Sequence, residues 1–230
     1  MWHTILLKIK NRFFGNYPRL SYSRGGEDIL IEEILGFKNN GLYVDVGAFD
    51  PITFSNTYKF YLQGWSGINI DASSQSIKKL NKVRSKDINL HCAVGELNKS
   101  VEFFELSDPS MNTTVSSFKE TAELEGILTK NITTIQQYRL DTIFAKHLKG
   151  KAIDFMSVDV EGADLAVLKS NDWNLYRPKI IIVETNSSIT DIKDDEIVLF
   201  MQKLGYKAQA YTLVGLLAGN IIFMDHQVQS

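Results

Sequence analysis

Little in this sequence points to a staple, a repeat or a membrane anchor. Cys92 is the single cysteine, which excludes an internal disulfide framework and a cysteine-built zinc site. A reducing, cytoplasmic setting is the matching expectation. The four prolines are scattered at 18, 51, 109 and 178, and no low-complexity linker or internal repeat divides the chain. An excess of one charge is missing too: 25 basic against 27 acidic residues leave a formal charge of -2. That balance argues against a nucleic-acid partner bound by bulk phosphate neutralisation. Near the amino terminus the apolar run Ile5, Leu6, Leu7 stops at Lys8, too short for a signal-peptide core or a transmembrane segment. Residues 1–17 do mix Lys8, Lys10 and Arg12 with Trp2, Leu6, Phe13 and Phe14. Such a stretch suits a helix packed on the domain or a partner, or one making peripheral membrane contact.

What is present is enough apolar material for one core: 230 residues, 44% of them hydrophobic. From Gly41 onward, short apolar runs alternate with helical patterns: LYVDVG, Phe54 to Leu62, GINID, Ser76 to Val83, INLHCAV. The same rhythm returns with a helix near Asp141 to His147, the strand IDFMSVDV, a helix from Ala163 to Lys169, KIIIVET, and a helix near Asp194 to Leu204. This alternation predicts an α/β fold with a mostly parallel sheet and crossover helices. Tyr206 to Thr212 and Asn220 to Met224 read as a closing hairpin. Residues 1–40 read as a helical segment beside a domain over 41–230. Between 100 and 138 the rhythm loosens into VEFFEL and ITTIQQY around the polar stretch SDPSMNTTVSSF, an insertion or lid.

Ligands in open α/β sheets bind at the carboxyl ends of strands near the switch point, so the loops after Val46, Ile70, His91 and Val158 are where chemistry is expected. VDVGAFDP puts Asp45 inside an apolar strand and Gly47 at its turn. Asp45 either caps the following helix and bonds turn amides, or orders the loop and faces a cationic ligand group. A dinucleotide site needs further glycines for its pyrophosphate, whereas Phe49, Pro51 and Thr53 stand there. A lone glycine beside acids better suits S-adenosylmethionine, which carries an ammonium and a sulfonium and no phosphate. Asp71 ends GINID at the interval where nucleotide folds place a ribose-binding acid, though it can also cap the helix near Ser74. Ala93 and Val94 in CAVG leave room for adenine. His91, in the same run, reads as a satisfied core histidine before a base.

Together the segments SYSRGGEDILI, GLYVDVGAFDPITFSNTYKFYLQGWSGINIDA, RSKDINLHCAVG, RLDTIF, IDFMSVDVEGADLAVLKSNDW and YRPKIIIVET resemble the FkbM-type methyltransferase family over about residues 21–186. The resemblance implies a Rossmann-like, seven-stranded class I methyltransferase sheet with helices on both faces. It also implies S-adenosylmethionine as cofactor and O-methylation of a sugar, glycan or other small-molecule hydroxyl, as in polysaccharide biosynthesis. Cofactor contacts are implied at Asp45, Gly47, Ser55, Asn56 and Asp71, with Ala48, Phe49 and Ala72 in the same motifs, and at Glu27, which with Asp28 would close over the methionyl portion. The chain departs from the family where a histidine pair is common and Phe49 and Asp50 stand instead, and where SYSR ends in Arg24 in place of the commoner glutamine. Asp50 therefore becomes a candidate acceptor contact, with Asn112, Thr113, Ser116 and Ser117 as hydroxyls and an amide suited to sugars.

SVDVEGADL carries the catalytic candidates: Asp159 and Glu161 leave a strand end, Gly162 turns, and Glu184 ends the neighbouring strand. They could serve as caps and backbone acceptors. As catalysts, a carboxylate would take the acceptor's proton directly, or Asp159 and Glu184 would hold a Mg2+ that lowers the hydroxyl's pKa. Both routes are open at this point. A nicotinamide-dependent oxidoreductase and a non-catalytic carbohydrate-binding scaffold on the same fold are the rival functions.

Overall fold

The computed structural model describes residues 19–214 and 218–227. The expected amphipathic stretch at 1–17 lies outside the described residues. A helix, α1 (Glu27–Ile34), precedes β1 (Leu42–Val46), α2 (Tyr58–Leu62), β2 (Ser66–Asp71), α3 (Ser74–Val83) and β3 (Ile88–His91). An inserted unit follows: β4 (Ala93–Val94), β5 (Lys99–Leu106), α4 (Ser116–Leu124) and β6 (Thr129–Tyr138). The chain then returns through α5 (Leu140–His147), β7 (Phe155–Val158), α6 (Asp164–Lys169), β8 (Ile180–Thr185), α7 (Glu196–Lys203), β9 (Tyr206–Leu213) and β10 (Gly219–Asp225).

Seven strands form the main sheet in the order β3-β2-β1-β7-β8-β10-β9, and only β10 runs against its neighbours. Strands β1 and β7 are buried throughout, as continuous apolar runs require when helices cover both faces. Alternate side chains then build two cores. Val44, Met156, Ile181 and Val183 pack with Leu140 and Phe144 of α5, Val167 of α6 and Met201 of α7. On the opposite face Tyr43, Phe155, Ile180 and Ile182 meet Ile31 of α1 and Phe60 of α2.

Three expectations are corrected. INLHCAV is not one strand: Cys92 N–H donates to the Asp71 carbonyl, after which the chain leaves the main sheet and Ala93–Val94 pairs with β6 in a second sheet. The helix expected from Phe54 begins only at Tyr58, because the Ser55 hydroxyl accepts from the Thr57 and Tyr58 amides and Phe54 itself has φ of +58°. The insertion holds the expected strand pair as a long antiparallel ribbon, but residues 116–124 within it are helical.

Candidate functional site

Strand order reverses at β1, which has β2 on one side and β7 on the other. At the carboxyl ends of these strands lie two adjoining pockets, the place where ligands bind in open α/β sheets. Gly47, Phe49, Ser110, Asp159 and Glu161 line both.

The first pocket is walled by Asp71 and Ala72 from β2's end, Ala93 and Val94 from β4, and Phe103 and Asn112 from the insertion. Asp71 accepts from the Phe49 amide at 2.7 Å and the Ser73 amide at 2.6 Å. Burial raises its pKa to about 6 against those two bonds. The capping role and a place on the pocket wall thus coexist in one side chain. Gly47 has φ of +82°, and a Cβ there would lie 1.7 Å from the Asp159 carbonyl oxygen. Only glycine fits, because the turn after β1 presses against the end of β7.

Asp45 lines the second pocket and accepts from Thr57 Oγ1 at 2.6 Å. Thr57 in turn accepts from Arg84, a completely buried guanidinium that also donates to the Pro51 carbonyl and the Tyr43 hydroxyl and pairs with Asp87. Burial raises the Asp45 pKa, with the Thr57 hydrogen bond and the Arg84 charge opposing. Ala48, Ser55 and Asn56 line the same pocket, and Asn56 Nδ2 donates to Ser157 Oγ at 3.0 Å.

Asp159, Glu161 and Glu184 meet at the second pocket, each with a carboxylate oxygen within 4.8 Å of the others'. Burial raises the Asp159 pKa well above the usual range, and the neighbouring Glu184 and Asp164 charges raise it further. Glu161 and Glu184 are each pushed up to about 8, first by burial and then by their acidic neighbours, while Arg24 opposes both shifts. Backbone strain aims one member of this trio. Glu161 has φ of +53°, unusual for a residue with a side chain. Its carbonyl accepts from Thr113 Oγ1 at 2.8 Å, and the Asp164 carboxylate accepts from the flanking Val160 and Gly162 amides.

Five expected residues, Glu27, Asp28, Asp50, Ser116 and Ser117, do not line these pockets. Asp50 accepts from the Ile52 and Thr53 amides and pairs with Lys79, so its carboxylate closes a turn outside the pocket linings. Those bonds hold its pKa low despite burial. Ser116 sits exposed at the start of α4, because the chain turns into a helix after Thr113 has bonded to the Glu161 loop. Glu27 is buried behind the second pocket, accepting from Thr212, Asn220 and the Gly25 amide, and these bonds outweigh burial to keep its pKa low. His91, expected to be a core histidine, is instead exposed on an edge strand, with a ring nitrogen 3.0 Å from the Ala72 carbonyl. Sequence reasoning missed Arg24, Phe54 and Ser110 as pocket residues and Thr113 as a bond to the Glu161 loop. Only Arg24 left a signal, as the departure in SYSR.

A sheet of this order with its pockets at the β1 switch point defines the class I methyltransferase architecture. The METTL16 methyltransferase domain aligns with 96% of this chain and 77% of its own length, at 11% identity and a TM-score of 0.50. A TehB-like SAM-dependent methyltransferase from Corynebacterium glutamicum covers 97% of this chain and 96% of its own, at 8% identity and a TM-score of 0.43. A Burkholderia thailandensis 1,6-didemethyltoxoflavin-N1-methyltransferase, solved with 1,6-didemethyltoxoflavin and S-adenosylhomocysteine, covers 86% of this chain and 76% of its own, at 11% identity and a TM-score of 0.42. Likeness this remote speaks to fold alone. No curated protein matches the sequence. Residues 45–208 match the methyltransferase FkbM domain, and the chain belongs to that family. Family and fold together make it a methyltransferase of the class I architecture. Among the described residues, no helix is long and apolar enough to cross a membrane.

Proposed function

We propose that the protein moves a methyl group from S-adenosylmethionine to a hydroxyl of a sugar or glycan-type acceptor. The observation that carries this reading is the convergence of Asp159, Glu161 and Glu184 at the second pocket, with Asp159 and Glu161 also lining the first. When bound, S-adenosylmethionine supplies an electrophilic methyl on a positively charged sulfur. The first pocket fits its nucleoside: Asp71 accepts from the ribose hydroxyls, and Ala93, Val94 and Phe103 leave a flat apolar slot for adenine. The acceptor approaches the trio from the open rim of the second pocket, with Phe54 as an exposed ring there and Asn56, Ser110 and Ser157 as hydrogen-bonding groups.

In-line displacement requires the acceptor oxygen to be aligned and relieved of its proton. Asp159 is the preferred base, and Glu161 and Glu184 share protons with it. A cluster in which Glu161 and Glu184 are pushed up to about 8 can take a proton at working pH and release it afterwards. The same three oxygens fit a hard cation such as Mg2+, which would be held by Asp159, Glu161 and Glu184 and would acidify the hydroxyl. Chelator separates the routes: only the metal route is silenced by it and restored by Mg2+. The free, buried Cys92 suits a reducing, cytoplasmic setting.

Mass spectrometry of cellular glycans and sugar nucleotides, with and without the gene, tests the acceptor class. The expected product has gained one methyl on a hydroxyl. A methylated amine or nucleic acid, with no sugar product, would overturn the acceptor assignment, and tight NAD binding without S-adenosylmethionine binding would overturn the cofactor.

A further inference from the structure

We infer that Arg24 receives the carboxylate of the cofactor's methionyl tail, fixing the amino-acid end of S-adenosylmethionine in the second pocket. This rests on the cofactor reading above and adds a binding residue to it. With the nucleoside in the first pocket, the tail must pass the shared Gly47 and Asp159 wall into the second. That tail is a zwitterion, and the second pocket is charged unevenly. Asp45 offers oxygens for the ammonium, whereas Arg24 is the sole cation among the described residues lining either pocket. Its guanidinium lies over the Phe54 ring, 5.6 Å from the centroid, and none of the ion pairs formed among the described residues uses it. An arginine that leaves nearby carboxylates unpaired, on the wall of an acidic pocket, matches a ligand carboxylate that arrives with its own cation.

The loop is built to hold that guanidinium in place. On one side, Asp28 accepts from Ser21 Oγ at 2.6 Å, the Tyr22 amide at 2.8 Å and Ser23 Oγ at 3.0 Å. On the other, Glu27 accepts from the Gly25 amide at 2.8 Å and ties the loop to Thr212 and Asn220. The Tyr22 ring meets the edge of Tyr58 at 4.9 Å. Residues 23 and 25 are therefore pinned, and little freedom remains to be lost on binding.

Calorimetry with S-adenosylhomocysteine and 5′-methylthioadenosine tests the assignment without an acceptor. The first ligand has the amino-acid tail and the second lacks it. Arg24→Gln should weaken S-adenosylhomocysteine binding by about ten- to a hundredfold and leave 5′-methylthioadenosine unchanged. Arg24→Lys, which keeps the charge, should recover part of the loss. Equal weakening of both ligands, or an unchanged affinity for S-adenosylhomocysteine, would overturn the assignment while the cofactor reading stands. Failure of the wild-type protein to bind either ligand would overturn both. An acceptor carboxylate as the true partner of Arg24 would appear as unchanged cofactor binding in Arg24→Gln.

Discussion

Replacing Glu184 by glutamine should make the ligand-free protein more stable and less active, and the gain should depend on pH. Glu184 sits among Asp159, Glu161 and Asp164, and its pKa is pushed to about 8, chiefly by burial and then by these charges. A group whose folded pKa lies above its unfolded value binds more protons in the native state between the two. Stability therefore falls as pH rises through that window, here from the ordinary carboxylate value of 4.5 to about 8. An isolated carboxyl shifted this far would cost about 4 kcal/mol at pH about 8 and under 1 kcal/mol near pH 5. Protons shared within the trio and partial hydration reduce this, and a net gain of about 1–3 kcal/mol at the higher pH is expected for Glu184→Gln. In a domain of this size that is a rise in Tm of roughly 3–9 °C. Thermal and urea unfolding of both proteins at the two pH values measures it. A variant less stable than wild type at pH about 8, or a gain of equal size at pH about 5, would refute the claim that the cluster is held together against its own charge.

Further outcomes follow from other bonds. Asp71→Ala should weaken S-adenosylhomocysteine binding by about 1.5–3 kcal/mol, the scale of hydrogen bonds to a charged group, in a protein that still folds; calorimetry with unchanged affinity would move the ribose contact elsewhere. Asp159→Asn keeps the shape and loses the charge, and should lower turnover about 10²–10⁴-fold with little change in cofactor affinity; near-normal turnover with saturating acceptor would remove Asp159 from the chemistry. Thr113→Val deletes the hydroxyl that bonds the Glu161 carbonyl, and should lower kcat by roughly tenfold while Thr113→Ser restores it. A loss confined to acceptor KM would instead make Thr113 a direct acceptor contact.

The fold was legible because its signals are local or periodic. Continuous apolar runs such as IIIVE and LYVDV announce strands buried on both faces, and their alternation with helical patterns fixes the parallel sheet. The acids at strand ends were legible as well, since a carboxylate inside an apolar run has few reasons to be there. Ends of elements were harder: α2 starts late because the Ser55 side chain bonds the Thr57 and Tyr58 amides, a choice no period records.

Sequence by itself determined the α/β class, the closing hairpin, the family resemblance, and the pairing of Asp45, Gly47 and Asp71 with one sheet edge. Tertiary structure decided which polar residues face the ligand space and which are consumed by other bonds. Asp50 and Glu27 stand in the same motifs as Gly47 and Arg24, yet turn amides and Lys79 occupy one carboxylate and Thr212 and Asn220 the other. Thr113 meets the Glu161 carbonyl across 48 residues of chain, and Glu184 meets Asp159 from a neighbouring strand. A hydrogen bond is satisfied by whatever partner the folded chain brings within about 3 Å. Residue type and spacing can nominate a carboxylate, but only the packed neighbours decide whether it is free to act.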